Sequence, residues 1–287
     1  MISVILAARN EERLIGRAIR SILAQTFRDF ELIVVDNGSA DRTVEIVSRL
    51  AATDARIRMV VEPNTGPHAA RNRGAHAARG DLLAIQDADD VSHPERLERL
   101  AAYMARRPRT VVVGSWALCY SESGGLRDPF YYATSDRAIR AQLRTGPNPF
   151  VHTTVLFRKD AFLRVGGYPG GFSHSEDYAL WSLLAPHGRF ANLPLHLALY
   201  RHQERAPDSQ FRVDERASTA ELKRRLLGPA TRIDAWVLRA TYGSRRRRAF
   251  DRMAKDWSPE LVRRLGLEDV FAARRPAPPI AIEAQSR

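Results

Sequence analysis

The 287-residue chain has a single cysteine, Cys119. That excludes a disulfide framework and a cysteine-built zinc site, and it suits a reducing compartment. No apolar run approaches the roughly 20 residues that span a bilayer, so any membrane contact is expected at the surface. The opening Met1-Ile2-Ser3-Val4-Ile5-Leu6-Ala7 lacks a basic leader and meets charge at Arg9. It reads as a strand rather than a signal peptide, and the expected location is the cytoplasm, with peripheral contact at the cytoplasmic membrane face. There is no internal repeat. No recognised nucleic-acid module accompanies the basic charge, so nucleic acid is not an expected partner.

What is present is an ordinary globular composition, 44% hydrophobic and 27% charged, enough to bury a substantial core. The net charge is +12, unevenly placed. Residues 216–287 hold 17 Lys and Arg against 8 Asp and Glu, a net of +9, which leaves +3 for the first 215. A globular body with a basic appendage is expected.

Along the first hundred residues strand and helix signals alternate. Apolar runs at Ile2–Leu6, Leu32–Val35, Ile57–Val61 and Leu82–Ile85 read as strands. Helical spacing covers 11–24, a segment after Asp41 as N-cap, and 67–79. Ser92-His93-Pro94-Glu95 reads as a capping box opening a helix to about Arg106. This alternation predicts a mainly parallel sheet covered by helices on both faces, with ligands beyond the carboxyl ends of its strands. Three such ends carry polar clusters that should converge: Ala8-Arg9-Asn10, Asp36-Asn37-Gly38-Ser39 and Asp87-Ala88-Asp89-Asp90.

Farther on, Val111–Ser115, Ala117–Tyr120, Val151–Phe157 and Leu195–Tyr200 read as strands. Asp160–Val165 and Glu176–Leu184 read as helices, the first stopped by Gly166-Gly167, and helices follow around 214–227, 229–241, 245–255 and 258–265. The expected division is a catalytic body over 1–205, a basic helical extension over 206–273 and a disordered tail over 274–287.

The acidic loop carries the strongest chemical signal. Three carboxylates within four positions repel one another unless a cation or donor network holds them. Hard oxygen ligands at the mouth of a strand suit Mg²⁺ or Mn²⁺. Asp87 and Asp89, two apart, would face one ligand in an extended segment. The bland alternative is that one of them, Asp90 above all, caps the following turn.

Several motifs then fall in order: Ser3-Val4-Ile5 through Arg9-Asn10-Glu11-Glu12, Ser21 to Phe27, Glu31 to Asp41, Asn64-Thr65-Gly66 with Ala70-Arg71-Asn72-Arg73-Gly74, the acidic loop, Glu176-Asp177, and Leu199-Tyr200-Arg201-His202. Over roughly residues 1–205 the chain resembles the family 2 glycosyltransferases. The resemblance implies a GT-A fold, Rossmann-like, with a mainly parallel mixed sheet flanked by helices. It also implies inverting transfer of a sugar from a nucleotide diphosphate to a saccharide or lipid-linked acceptor, assisted by Mg²⁺ or Mn²⁺, in surface-polysaccharide or glycoconjugate synthesis.

The same resemblance assigns the metal to Asp89, with Asp90 as alternative, and donor binding to Ala7, Arg9, Asp36, Asn37, Arg71 and Asp87. Asn37 stands where the family usually has a second acid, which leaves uracil, thymine and guanine open. Asp177 matches the general base, with Glu176, His152 and Trp181 on the acceptor side. Structural alternatives stand beside these roles. They are an Asx-turn at Asp36, a surface role for Arg9, a capping box from Ser173 to Glu176, and core positions for His152 and Trp181. In the basic tail, Ile233, Trp236 and Val237 precede Arg245-Arg246-Arg247-Arg248, a pattern that could rest on anionic lipid. The rival functions are a non-catalytic nucleotide-sugar-binding protein and a metal-dependent nucleotidyltransferase.

Overall fold

A computed structural model describes residues 1–63, 66–121, 125–172, 175–203, 210–227, 234 and 256–272. Strands β1 (Ile2–Ala8), β2 (Phe30–Asp36), β3 (Ile57–Val61) and β4 (Leu82–Ile85) alternate with helices α1 (Ile15–Leu23), α2 (Thr43–Ala51) and α3 (Pro67–Ala77). There follow β5 (Val91–Ser92), α4 (Arg96–Ala105), β6 (Thr110–Ser121), β7 (Gly125–Phe130), α5 (Asp136–Thr145), β8 (Leu156–Arg158), α6 (Lys159–Arg164), α7 (Glu176–Leu184) and β9 (Arg189–Arg201). Helices α8 (Gln210–Leu222), α9 (Pro259–Arg264) and α10 (Glu268–Ala272) close the described chain.

The nine strands form one sheet in the order β3-β2-β1-β4-β8-β6-β9-β5, with β7 paired to β6. The first four are parallel, as alternation requires. The other half is mixed: β8 runs antiparallel to β4 and β6, β5 antiparallel to β9, and β6 parallel to β9. The sheet is thus mixed, as expected, with its parallel part concentrated in the first four strands. Successive residues of β1 serve opposite faces. Val4 and Leu6 pack with Ile15, Ile19 and Leu97 of α1 and α4, whereas Ile5 packs with Ala70 of α3 and with α7.

Several local expectations are corrected. Helix α1 begins at Ile15 rather than near residue 11, because the preceding amides are used elsewhere. Asn10 takes a left-handed φ of 56°, Glu11 N donates to Thr43 Oγ1 at 2.8 Å, and Glu12 N donates to Asp41 Oδ2 at 3.0 Å. The capping box at Ser92 does not form. Ser92 lies in β5 and its hydroxyl donates to Gln86 Oε1 at 2.6 Å, while Glu95 pairs with Arg99. The two strands expected between 111 and 120 are one, β6, buried along its whole length. His152 does not start a strand; it sits in a 3₁₀ turn, His152–Thr154, ahead of β8.

The described residues of the basic last quarter pack on earlier elements. Leu222 joins the core that holds Tyr178 and Leu184, and Trp257, Val262 and Leu267 pack on Leu118, Tyr120 and Leu199. Asp256 accepts from the backbone N–H and the Nδ1 of His196 in β9, both at 2.9 Å, and Trp257 Nε1 donates to His196 O at 2.8 Å. Among the described residues, no helix is long and apolar enough to cross a membrane. The helices expected over 229–241 and 245–255, with Trp236 and the arginine run, lie outside the described residues apart from helical Asp234. So does the tail expected to be disordered.

Trp181 is corrected from the acceptor side to the core. It is 0% exposed and packs on Phe150, Phe157 and His152 at ring-centroid distances of 5.3, 6.0 and 6.2 Å, so it offers no face to a ligand. Trp181→Ala is expected to cost about 3–5 kcal/mol of stability, measured by urea unfolding. An acceptor-binding role would instead raise KM and leave the unfolding midpoint in place.

Candidate functional site

Parallel pairing aligns Ala8 with Asp36 and Ile5 with Ile85, so the loops after β1, β2 and β4 leave the same edge of the sheet. This is the expected convergence. The first two loops are tied together: Asn10 N donates to Ser39 Oγ at 3.1 Å, and Ala40 N to Asn10 Oδ1 at 2.8 Å. Asp36 is buried and receives Ser39 N at 3.3 Å, an Asx-type turn. Asn37 beside it is also buried. Ala7 is half-buried, and Arg9 is exposed at the rim.

The acidic loop is a turn, with Asp90 N donating to Asp87 O at 3.3 Å. Asp87 and Asp89 therefore do not face one ligand, as an extended segment would require. Asp87 Oδ1 receives Arg71 Nη2 at 3.2 Å and lies 3.5 Å from His152 Nδ1. Burial alone would raise its pKa, but His152 and Arg71 reverse that and hold it well below the usual carboxylate range. Asp89 faces the other way, toward Arg201 Nη1 at 3.4 Å and Gln203 Nε2 at 3.5 Å. Burial and the Asp87 charge push its pKa up.

Asp90 is 1% exposed and accepts Arg201 N at 2.7 Å, tying the loop to the end of β9. Burial, with Asp89 and Asp87 adding to it, raises its pKa well above normal. The bond to Arg201 N ties the loop across the fold to β9 and is not a cap of the following turn, and Asp89 is more exposed than Asp90. Among the described residues, no three His, Cys, Asp or Glu side chains come together as a metal cage. A hard cation at Asp89 would take its remaining oxygens from a bound diphosphate, and the carboxylate donors suit Mg²⁺ or Mn²⁺.

Arg71 links the two halves of the site. Its Nη1 donates to Glu176 Oε1 at 2.8 Å while Nη2 reaches Asp87. Burial works against this cation, but Asp87 and Glu176 more than offset the penalty and raise its pKa. Glu176 is thus committed to an ion pair across the site rather than to a capping box; Ser173, its expected partner, lies outside the described residues. Asp177 is half-buried at the start of α7, its Oδ1 receiving Tyr178 N at 2.7 Å and its Oδ2 receiving Asn148 Nδ2. Burial pushes its pKa up, His152 pulls it down and Glu176 adds to the rise. His152 bridges toward the same region, with Nε2 2.9 Å from Tyr168 OH.

Two residues escaped the sequence reading. Asn148, between two prolines, carries no motif of its own. Glu11 carries no chemical signal of its own in the sequence, yet it lies close to the acidic loop. Burial, then the Asp89 charge, pushes its pKa up to about 7.

The profile of Glycosyl transferase family 2 matches residues 3–166. The O-antigen biosynthesis glycosyltransferase WbnJ of Escherichia coli is 33% identical over 207 residues, covering 70% of this chain and 79% of WbnJ. Among solved structures, S. aureus TarS 1-349 in complex with UDP-GlcNAc superposes with a TM-score of 0.63 at 18% identity, covering 95% of this chain and 81% of that one. The mannosyltransferase PcManGT from Pyrobaculum calidifontis, in complex with GDP-Man and Mn²⁺, superposes with a TM-score of 0.62 at 19% identity, covering 95% and 85%. The mixed, helix-flanked sheet is thus the one GT-A enzymes share.

Proposed function

The chain belongs to glycosyl transferase family 2, and from that premise we propose an inverting, metal-assisted sugar transfer in cell-surface polysaccharide or glycoconjugate assembly. The observation that supports this reading is the Arg71 bridge. One guanidinium reaches both Asp87 on the strand-end loop and Glu176, the neighbour of Asp177. The leaving-group side and the acceptor side of a transfer are thereby held in one frame.

The roles follow from the chemistry. Asp36 and Asn37, with Ala7 and Arg9 at the rim, receive the nucleoside. Asp89 holds Mg²⁺ or Mn²⁺, which when bound neutralises charge developing on the diphosphate. Asp87 and Arg71 fix the loop that carries Asp89, and Arg71 adds a positive charge near the diphosphate. Asp177 takes the proton of the acceptor hydroxyl as it attacks the anomeric carbon from the face opposite the leaving group. Glu176, paired with Arg71, is ill placed to share that task. His152 orients Asp87 from the acceptor side.

The donor is a nucleotide-diphosphate sugar, the class that TarS and PcManGT carry in their complexes. A lipid-linked acceptor would bring the chain to a membrane surface, where the basic last quarter meets anionic headgroups. A thermal-shift screen of UDP-, dTDP- and GDP-sugars with and without Mn²⁺ tests this. A donor at a hundred times its Kd stabilises the folded state by about 2.7 kcal/mol, a rise in Tm of roughly 4–5 °C for a chain of this length. One base should stand out, and its shift should shrink without Mn²⁺. Equal or absent shifts for every nucleotide sugar count against the reading.

A further inference from the structure

Asn148 lies in the turn Pro147-Asn148-Pro149 between α5 and the 3₁₀ segment, and nothing above assigns it a role. Its surroundings fix which way its amide points. Phe150 N donates to Asn148 Oδ1 at 3.2 Å, so the carbonyl end is taken and Nδ2 must face the other way, onto Asp177 Oδ2. The turn itself is anchored: buried Asn192 Nδ2 donates to Pro149 O at 2.9 Å, and Gln142 Nε2 to Asn148 O at 3.3 Å. The opposite carboxylate oxygen, Oδ1, is held by Tyr178 N.

We propose that Asn148 is a positioning residue that fixes the Asp177 carboxylate in one rotamer and favours its ionised form. The proposal rests on Asp177 being the base. A carboxylate moved into a half-buried site loses part of its hydration, and a preset amide donor makes up for some of that without the entropy of recruiting a water. The other groups facing Asp177 push in both directions. Glu176 on α7 disfavours its charge, Arg71 on α3 and His152 in the 3₁₀ turn favour it, and the hydroxyls of Tyr168 and Tyr178 border the same space. Asn148 differs from all of them in donating a side-chain hydrogen bond directly to the carboxylate.

The test follows the Asp177 carboxyl carbon by NMR in the full chain labelled with carboxyl-¹³C aspartate, the resonance being identified by its loss in Asp177→Asn. Asn148→Ala removes the donor. Asn148→Asp is isosteric, still accepts from Phe150 N, and sets a second carboxylate against the first. The titration midpoint should rise by about one to two pH units in Asn148→Ala. It should rise further in Asn148→Asp, where the two carboxyls titrate as a coupled pair. A role confined to packing would lower Tm and leave the midpoint in place, and an unmoved midpoint in both variants overturns the proposal. Failure of the underlying reading looks different: Asp177→Asn would then release nucleoside diphosphate at the wild-type rate, and the positioning role would fall with it.

Discussion

Asp177→Asn is expected to lower the rate of sugar transfer by about 10²–10⁴-fold, the usual contribution of a positioned general base, while donor binding persists. The change is isosteric and leaves α7 intact. It replaces a carboxylate with an amide that cannot accept a proton at neutral pH. Some local cost is expected, because Tyr178 N and Asn148 Nδ2 both donate to Asp177 and the new amide has one acceptor oxygen for two donors. A lost hydrogen bond of this kind is worth about 1 kcal/mol, far short of unfolding the chain. Glu176 is unlike a replacement base, since Arg71 holds its carboxylate at 2.8 Å. Steady-state nucleoside diphosphate release, with donor affinity measured by calorimetry, separates the two quantities. A wild-type rate in Asp177→Asn would move the base elsewhere.

The second large effect is expected at Asp89, and it is best read against Asp90. Asp89→Asn should remove the Mn²⁺-dependent part of donor binding and reduce turnover by about two orders of magnitude or more, because metal neutralisation of a leaving diphosphate is worth several kcal/mol. Asp90→Asn should keep both. Asp90 is 1% exposed, its pKa is raised well above normal by burial, and its task is to accept Arg201 N. An amide can accept that bond as well as a protonated acid can. Titrating Mn²⁺ against each variant in the presence of donor decides the assignment. If Asp90→Asn loses the metal response and Asp89→Asn keeps it, the roles are reversed.

Much of this site was legible because local pattern and chemistry coincide in it. β4 and α7 match their expected spans, Leu82–Ile85 and Glu176–Leu184, where an apolar run meets carboxylates at its boundary. The illegible parts depend on partners distant in sequence. Arg71 and Glu176 are 105 residues apart, and neither residue's neighbours announce the pair. Asn148 sits 29 residues from Asp177 in a turn without periodicity. The turn at His152 is hidden because Val151–Phe157 is largely apolar or β-branched, the pattern of a strand. Thr153 and Thr154, both 0% exposed, instead use their hydroxyls in the 3₁₀ turn: Thr154 Oγ1 donates to Val151 O at 2.8 Å, and Thr153 Oγ1 accepts from Asp87 N at 3.1 Å. Trp181 was ambiguous for another reason. α7 is buried on nearly every face, so helical spacing could not distinguish a ligand face from a core face.

The spacing of Asp87 and Asp89 illustrates the limit from the other side. Two carboxylates at i and i+2 share a side only while the backbone stays extended. Here the turn through Ala88 and Asp89 separates them, one toward Arg71 and His152, the other toward Arg201 and Gln203. The separation gives the two carboxylates different partners: Asp87 is tied to Arg71 and His152, and Asp89 has contacts to Arg201 and Gln203 at 3.4 and 3.5 Å.

The most direct test of the account is nucleoside diphosphate release by the full chain from UDP-, dTDP- and GDP-sugars, in Mn²⁺ and then in excess EDTA. The expected result is release from the donor that gives the largest thermal shift, loss of that release in EDTA, and loss again in Asp177→Asn. Release that continues undiminished in EDTA, or no release from any nucleotide sugar with any acceptor or with water, would contradict it.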